Sequence, residues 1–206
     1  MEENTYQRFL DRVKFETEEL REDLIGLPLN MANWKVGDFG CGWGYVTWGL
    51  MQEIPNSECI GIDKFDPEYP PDIESYGVFS YDKVQKNFKE INALRSPDFR
   101  KGDIVENKGL LSGFDLVYCK RVLYNIFGES AGETRLKQSI NHIENVIKPN
   151  GWFCFVEIEE ESFKVVLEEF LHQSSFEFNS PRRVHRPYAR INNQMPYLIY
   201  QCKKKK

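Results

Sequence analysis

The stretch from Val36 to Leu50 constrains this chain more than any other. Trp34, Val36 and Phe39 lead in with strand-like spacing. Glycines follow at 40, 42 and 44, and Val46, Leu50, Met51 and Ile54 then take up helical spacing. The order is strand, glycine loop, helix. Glycine permits positive φ and lets a ligand approach the backbone, and the helix N-terminus presents unpaired N–H groups. This combination favours a nucleotide-like ligand without naming one.

The rest of the chain repeats the alternation. Residues 4–25 carry Tyr6, Phe9, Leu10, Val13, Leu20 and Leu24 on one face of a helix, with charges between them. After the glycine unit, Glu58–Asp63 reads as a short strand ending in an acid. Phe65–Pro71 holds three prolines and reads as a loop. Helices are expected over Tyr81–Leu94, Gly132–Ile147 and Phe163–Leu171. Strands are expected over Phe99–Ile104, Phe114–Cys119 and Trp152–Ile158, the last preceded by a Pro149–Asn150–Gly151 turn. Residues 176–202 read as two strands around a polar connection. Alternation of this kind predicts an α/β fold, with a doubly wound, mostly parallel sheet and helices on both faces.

The 206 residues suit a single domain overall, with 1–33 as an N-terminal helix and possible lid and 34–206 as the ligand-binding domain. At 41% hydrophobic and 14% aromatic the chain is too apolar to be disordered. No apolar run reaches the length of a membrane span, and the Met1–Asn4 start lacks the features of a signal peptide. Cysteines 41, 59, 119, 154 and 202 are odd in number and widely spaced. They read as reduced, buried thiols, and a cytoplasmic location is expected. A net charge of −5 argues against generic nucleic-acid binding, and Lys203–Lys206 reads as a solvated tail.

In sheets of this type ligands sit at the carboxyl ends of the strands. The strand-end residues are Asp38 with the glycine loop, Asp63, Gly102–Asp103, Cys119 onward and Glu157. The dinucleotide fingerprint G-x-G-x-x-G fails, because its third glycine falls on Tyr45 or Thr47. The pattern that fits is D-x-G-x-G-x-G, from Asp38 to Gly44. With Gly61–Asp63, Gly102–Asp103, Phe114–Cys119 followed by Val122–Ile126, and Ile147–Trp152, the chain resembles the class I (Rossmann-like) S-adenosylmethionine-dependent methyltransferases over roughly residues 34–158.

The resemblance implies a seven-stranded sheet with an antiparallel last strand and an extra N-terminal helix. It implies S-adenosylmethionine as cofactor, held by Asp38, Gly40, Cys41, Gly42, Gly44, Asp63, Lys64, Asp103, Ile104 and Cys119. Asp63 matches the acid that holds the ribose hydroxyls, since a carboxylate can accept two hydrogen bonds from a vicinal diol. Asp103 matches the acid that approaches the adenine amino group. Three departures stand out. Trp43 is bulkier than the residue often found between the second and third glycines. Lys64 stands where an apolar residue often covers adenine, which would leave more of that packing to Ile104. The Pro-rich loop replaces a helix.

Methyl transfer is an in-line displacement that needs positioning more than acid–base help, and no catalytic residue is evident. Tyr124, Arg121 and Glu157 are the substrate-side candidates. The acids at 157, 159, 160 and 161 suit a helix start. The resemblance implies no metal assistance, since metal-dependent relatives need carboxylates at the end of the fourth strand and Cys119–Arg121 offers none, and His142, His172 and His185 lack ligand spacing. His142 and His172 read as surface residues. Arg182, Arg183, His185, Arg186 and Arg190, with Tyr188, form a basic cluster that could meet an anionic acceptor or RNA, or be balanced by the acidic run. A small-molecule acceptor is expected, with RNA or protein as the alternative acceptors and a catalytically silent cofactor-binding subunit as the alternative role. No membrane partner is expected.

Overall fold

The computed structural model describes residues 3–29, 33–66, 79–91, 96–188 and 191–206. Positions 67–71 of the Pro-rich loop, Leu94 and Arg190 lie outside the described residues, as do the side chains of Tyr6 and Tyr188. The chain forms two compact units, residues 1–103 and 104–206.

The first unit holds α1 (Glu3–Asp23), β1 (Lys35–Phe39), α2 (Tyr45–Glu53), β2 (Glu58–Asp63), α3 (Tyr81–Ile91) and β3 (Asp98–Lys101). Its three strands are parallel in the order β3-β2-β1. β1 and β2 are buried along nearly their whole length, as expected for strands covered on both sides. On α1, Phe9, Val13 and Leu20 are buried and Leu10 is half-buried, and Leu24, just past the helix, is buried too. This helix packs on α2, where Thr17 leaves no room beside Gly49 and a Cβ there would stand 2.9 Å from the Thr17 hydroxyl. Phe9, Trp43, Tyr45, Phe65, Phe79, Phe88 and Phe99 make an aromatic core around the glycine loop. Fully burying one such ring contributes about 2–3 kcal/mol.

The second unit holds β4 (Phe114–Lys120), α4 (Leu123–Phe127), α5 (Gly132–Val146), β5 (Ile147–Ile158), α6 (Glu161–Gln173), β6 (Phe176–Phe178), β7 (Arg182–Tyr188) and β8 (Ile191–Lys204). β4 and β5 are parallel, and β8 runs antiparallel to β5. Both β6 and β7 pair antiparallel with β8.

Three details differ from the sequence reading. The segment expected to form two C-terminal strands forms three, so among the described residues five strands lie in this unit and three in the first, against the seven expected. β7 and β8 make a long hairpin that adds the extra strand. The Pro149–Asn150–Gly151 turn lies inside β5 as an irregularity: the register jumps from Phe114↔Ile147 to Leu116↔Trp152, and Asn150 has φ 63. Finally, β3 ends at Lys101, so Gly102 and Asp103 stand beyond the strand rather than within it.

Candidate cofactor site and the strand-four turn

The glycine loop is tied to the end of β2. Gly40 N–H and Cys41 N–H both donate to the Ile62 carbonyl, at 2.7 and 3.2 Å. Gly42 N–H donates to Asp63 Oδ2 at 2.9 Å. Three consecutive amides, which a sequence reading would offer to a ligand, are therefore already engaged by the neighbouring strand. Gly42 and Gly44 both have positive φ, 52 and 82. At Gly44 a side chain is excluded twice over, because a Cβ would lie 2.5 Å from the Phe99 ring.

Asp63 is the hub of this unit. Its Oδ1 accepts from Phe65 N–H at 2.9 Å, and its backbone carbonyl accepts from Gly102 N–H at 2.9 Å. The side chain thus spans the glycine loop and the turn after β2, while the main chain reaches the end of β3. Burial pushes the Asp63 carboxyl above its ordinary range, against the opposing pull of the Phe65 and Gly42 amides and of Lys64. Each carboxylate oxygen has two lone pairs, so both can accept a hydroxyl in addition to the amide each already holds. Phe65 adopts φ 50, an uncommon conformation for a bulky residue. It is held there by the Asp63 bond and by packing on the Phe79 and Tyr81 rings.

Asp38 is buried and accepts from the Thr47 hydroxyl at 2.6 Å. It therefore staples β1 to the first turn of α2. The Lys64 ammonium pairs with Asp103 Oδ2 at 3.2 Å. Trp43 is buried edge-on against Phe79 at 5.0 Å between ring centroids. Cys41 is buried, and burial together with the charges of Asp63 and Asp38 pushes its thiol well up. Asp38, Gly40, Cys41, Gly42, Gly44, Asp63, Lys64 and Asp103 thus gather at the carboxyl ends of β1, β2 and β3.

The remaining candidates lie in the second unit. Ile104 and Cys119 are buried, and the Ile104 carbonyl faces His142 Nδ1 at 2.9 Å. His142 is accordingly half-buried and engaged rather than an ordinary surface residue, whereas His172 is exposed. Cys41, Cys59, Cys119, Cys154 and Cys202 are all buried, and none of them is joined in a disulfide.

The turn after β4 is pinned by β5. Arg121 N–H donates to the Val156 carbonyl at 2.9 Å. Glu157 Oε1 accepts from Val122 and Leu123 N–H at 3.0 and 2.8 Å, and Oε2 from Tyr124 N–H at 3.3 Å. Glu157 is fully buried. Burial raises its carboxyl to about 7, against the three amides and Arg121. Tyr124 packs edge-on against Phe163 of α6 at 5.4 Å. The Arg121 guanidinium lies over the Tyr197 ring, 5.2 Å from its centroid.

The acidic run serves α6 as expected: Glu160 caps the helix by accepting from Ser162 and Phe163 N–H. Glu159 pairs with Arg183, so part of the basic cluster is balanced locally. Arg186 is buried, and Arg183 and His185 are exposed on β7. Among the described residues, no three His, Cys, Asp or Glu come together as a metal site, and no helix is long and apolar enough to cross a membrane.

No family model matches the chain. A fission yeast (Schizosaccharomyces pombe) protein described as an uncharacterized methyltransferase is 27% identical over 143 residues, covering 67% of this chain and 45% of that protein. The chain thus spans less than half the length of this curated relative. Solved structures align over nearly the whole chain. Magnesium protoporphyrin IX methyltransferase from Synechocystis, with bound S-adenosylmethionine, superposes with TM-score 0.61 at 16% identity, over 98% of this chain and 80% of that one. A TehB-like S-adenosylmethionine-dependent methyltransferase from Corynebacterium glutamicum gives 0.60 at 17%, over 98% and 97%. The N-methyltransferase NodS from Bradyrhizobium japonicum gives 0.58 at 14%, over 100% of both chains. The chain has the fold of the class I S-adenosylmethionine-dependent methyltransferases.

Proposed function

We propose that this protein binds S-adenosylmethionine and transfers its methyl group to a small-molecule acceptor in the cytoplasm. The observation that carries the reading is the Asp63 junction. A partly buried carboxylate at the end of β2 is held by Gly42 N–H of the glycine loop and by Phe65 N–H, with lone pairs left for a ribose diol. Asp103, two residues past the end of β3, offers the carboxylate suited to an adenine amino group. The donor set fits the cofactor, which when bound supplies an electrophilic methyl group on a sulfonium.

In this reading Asp63 orients the ribose. Asp38 acts indirectly, by fixing α2 against β1 through Thr47. Lys64 holds Asp103 in place until adenine arrives. Positioning carries the rate, since an in-line displacement gains most from aligned reactants. The small-molecule assignment is supported by the acidic net charge of −5. It is supported also by the ion pair that occupies Arg183 in the basic cluster. The buried thiols agree with a reducing compartment.

The test is a transfer screen with methyl-labelled S-adenosylmethionine over metabolite, RNA and protein fractions of a cell extract. Label is expected in the metabolite fraction. Label confined to RNA, and lost on replacing Arg182 and Arg183, would move the assignment to a macromolecular acceptor.

A further inference from the structure

We propose that Glu157 is a positioning residue, whose carboxylate sets the course of the Arg121–Tyr124 turn that carries the substrate-side candidates Arg121 and Tyr124. The consequence for methyl transfer rests on the function proposed above; the clamp itself does not. Four consecutive amides, from Arg121 to Tyr124, donate to the end of β5: one to the Val156 carbonyl and three to the Glu157 carboxylate. Runs of this kind do not arise from local sequence, because the acceptor lies 33 to 35 residues away. The turn also needs holding. Arg121 has φ 61, and the α4 N-cap position, Val122, offers no side-chain cap. Asn125 closes the turn from the other side, its amide donating to the Arg121 carbonyl at 2.8 Å.

The two carboxylate oxygens are unequal. Oε1 takes the two shorter bonds and Oε2 only the 3.3 Å bond from Tyr124. A proton therefore goes to Oε2 at least cost. A hydroxyl oxygen there is a weaker acceptor than a carboxylate oxygen, so the Tyr124 bond weakens first while Val122 and Leu123 keep theirs. Glutamine carries the change further, with an NH₂ at the Oε2 position that cannot accept from Tyr124. The Arg121 charge favours the ionised form of this carboxyl. The pH at which Tyr124 is released is thus a signature of positioning, which a merely space-filling Glu157 would not give.

The experiment uses the full chain, wild type and Glu157→Gln, with three readouts: backbone amide NMR between pH 5.5 and 8.5, calorimetry with S-adenosylhomocysteine, and labelled-methyl transfer into the metabolite fraction. In wild type the Tyr124 amide shifts with a midpoint near neutral pH, and Val122 and Leu123 shift less. In Glu157→Gln the three amides are pH-invariant and resemble the acid form of wild type. S-adenosylhomocysteine binds both proteins within twofold. Transfer by Glu157→Gln falls at least tenfold at pH 8 and converges with wild type at pH 6. A Tyr124 amide that does not titrate in wild type overturns the proposal, as does transfer by Glu157→Gln within twofold of wild type at pH 8. If the glutamine variant does not fold, the wild-type amide titration decides. Wild type that neither binds S-adenosylhomocysteine nor transfers methyl refutes the function proposed above, and the amide titration still decides the clamp.

Discussion

Asp63 Oδ2 accepts the backbone N–H of Gly42 at 2.9 Å. The second strand thereby holds the loop that follows the first, and the acid proposed to meet the cofactor also shapes the loop beneath it. Substituting Asp63 acts twice for that reason. Asp63→Asn, which keeps one acceptor oxygen, is expected to retain the loop and to weaken S-adenosylhomocysteine binding less than Asp63→Ala does. Calorimetry on both variants checks the order.

The Thr47–Asp38 bond is a second staple, short at 2.6 Å and buried. Thr47→Val keeps the shape and removes the donor to a buried carboxylate. It is expected to cost about 2 kcal/mol of stability. Thr47→Ser, which restores the hydroxyl, is expected to recover most of that. Urea midpoints at constant slope measure both.

Gly44 is held by conformation and by space. Gly44→Ala must keep φ 82 and place a Cβ 2.5 Å from the Phe99 ring. Strain and overpacking together are expected to cost about 3 kcal/mol. The double variant Gly44→Ala with Phe99→Leu removes the nearest ring atoms. It is expected to show coupling rather than additive losses, as a double-mutant unfolding cycle measures.

Glu157 sets a pH dependence of stability. Its carboxyl is raised from 4.5 to about 7 in the folded chain, so between those values the folded state binds more protons than the unfolded one. The stabilisation is fully present below about pH 4.5 and is lost as pH rises through about 7, a change on the order of 3 kcal/mol. Asp63, also raised, adds to the same trend. Glu157→Gln is expected to flatten the Glu157 share, leaving a shallower decline over this window. Denaturation series at several pH values compare the two slopes.

The glycine unit was legible because its signals are local. A strand period changes to a helix period across three glycines, and Asp63 closes an apolar run that can only be a short strand. The aspartates then mark strand ends without any knowledge of pairing. What escaped the sequence is non-local. α4 is five residues long and its N-cap residue, Val122, supplies no side-chain cap; its first amides are met by Glu157 of β5. The Lys64–Asp103 pair joins residues 39 positions apart, and nothing in either local pattern announces it. The irregularity inside β5 is a third case: Pro149 and Gly151 signal a turn correctly, but only strand pairing reveals that β5 begins before it. Glu157 was visible as a strand-end acid, yet its orientation toward backbone amides depends on register with β4.

The central claim is that the Asp63 junction forms a cofactor site, and calorimetry of the wild-type chain with S-adenosylmethionine and S-adenosylhomocysteine tests it most directly. The account predicts one-to-one binding of both ligands, weakened at least tenfold by Asp63→Ala in a variant that still unfolds cooperatively. No binding of either ligand by folded wild type, or equal affinity in Asp63→Ala, would contradict it.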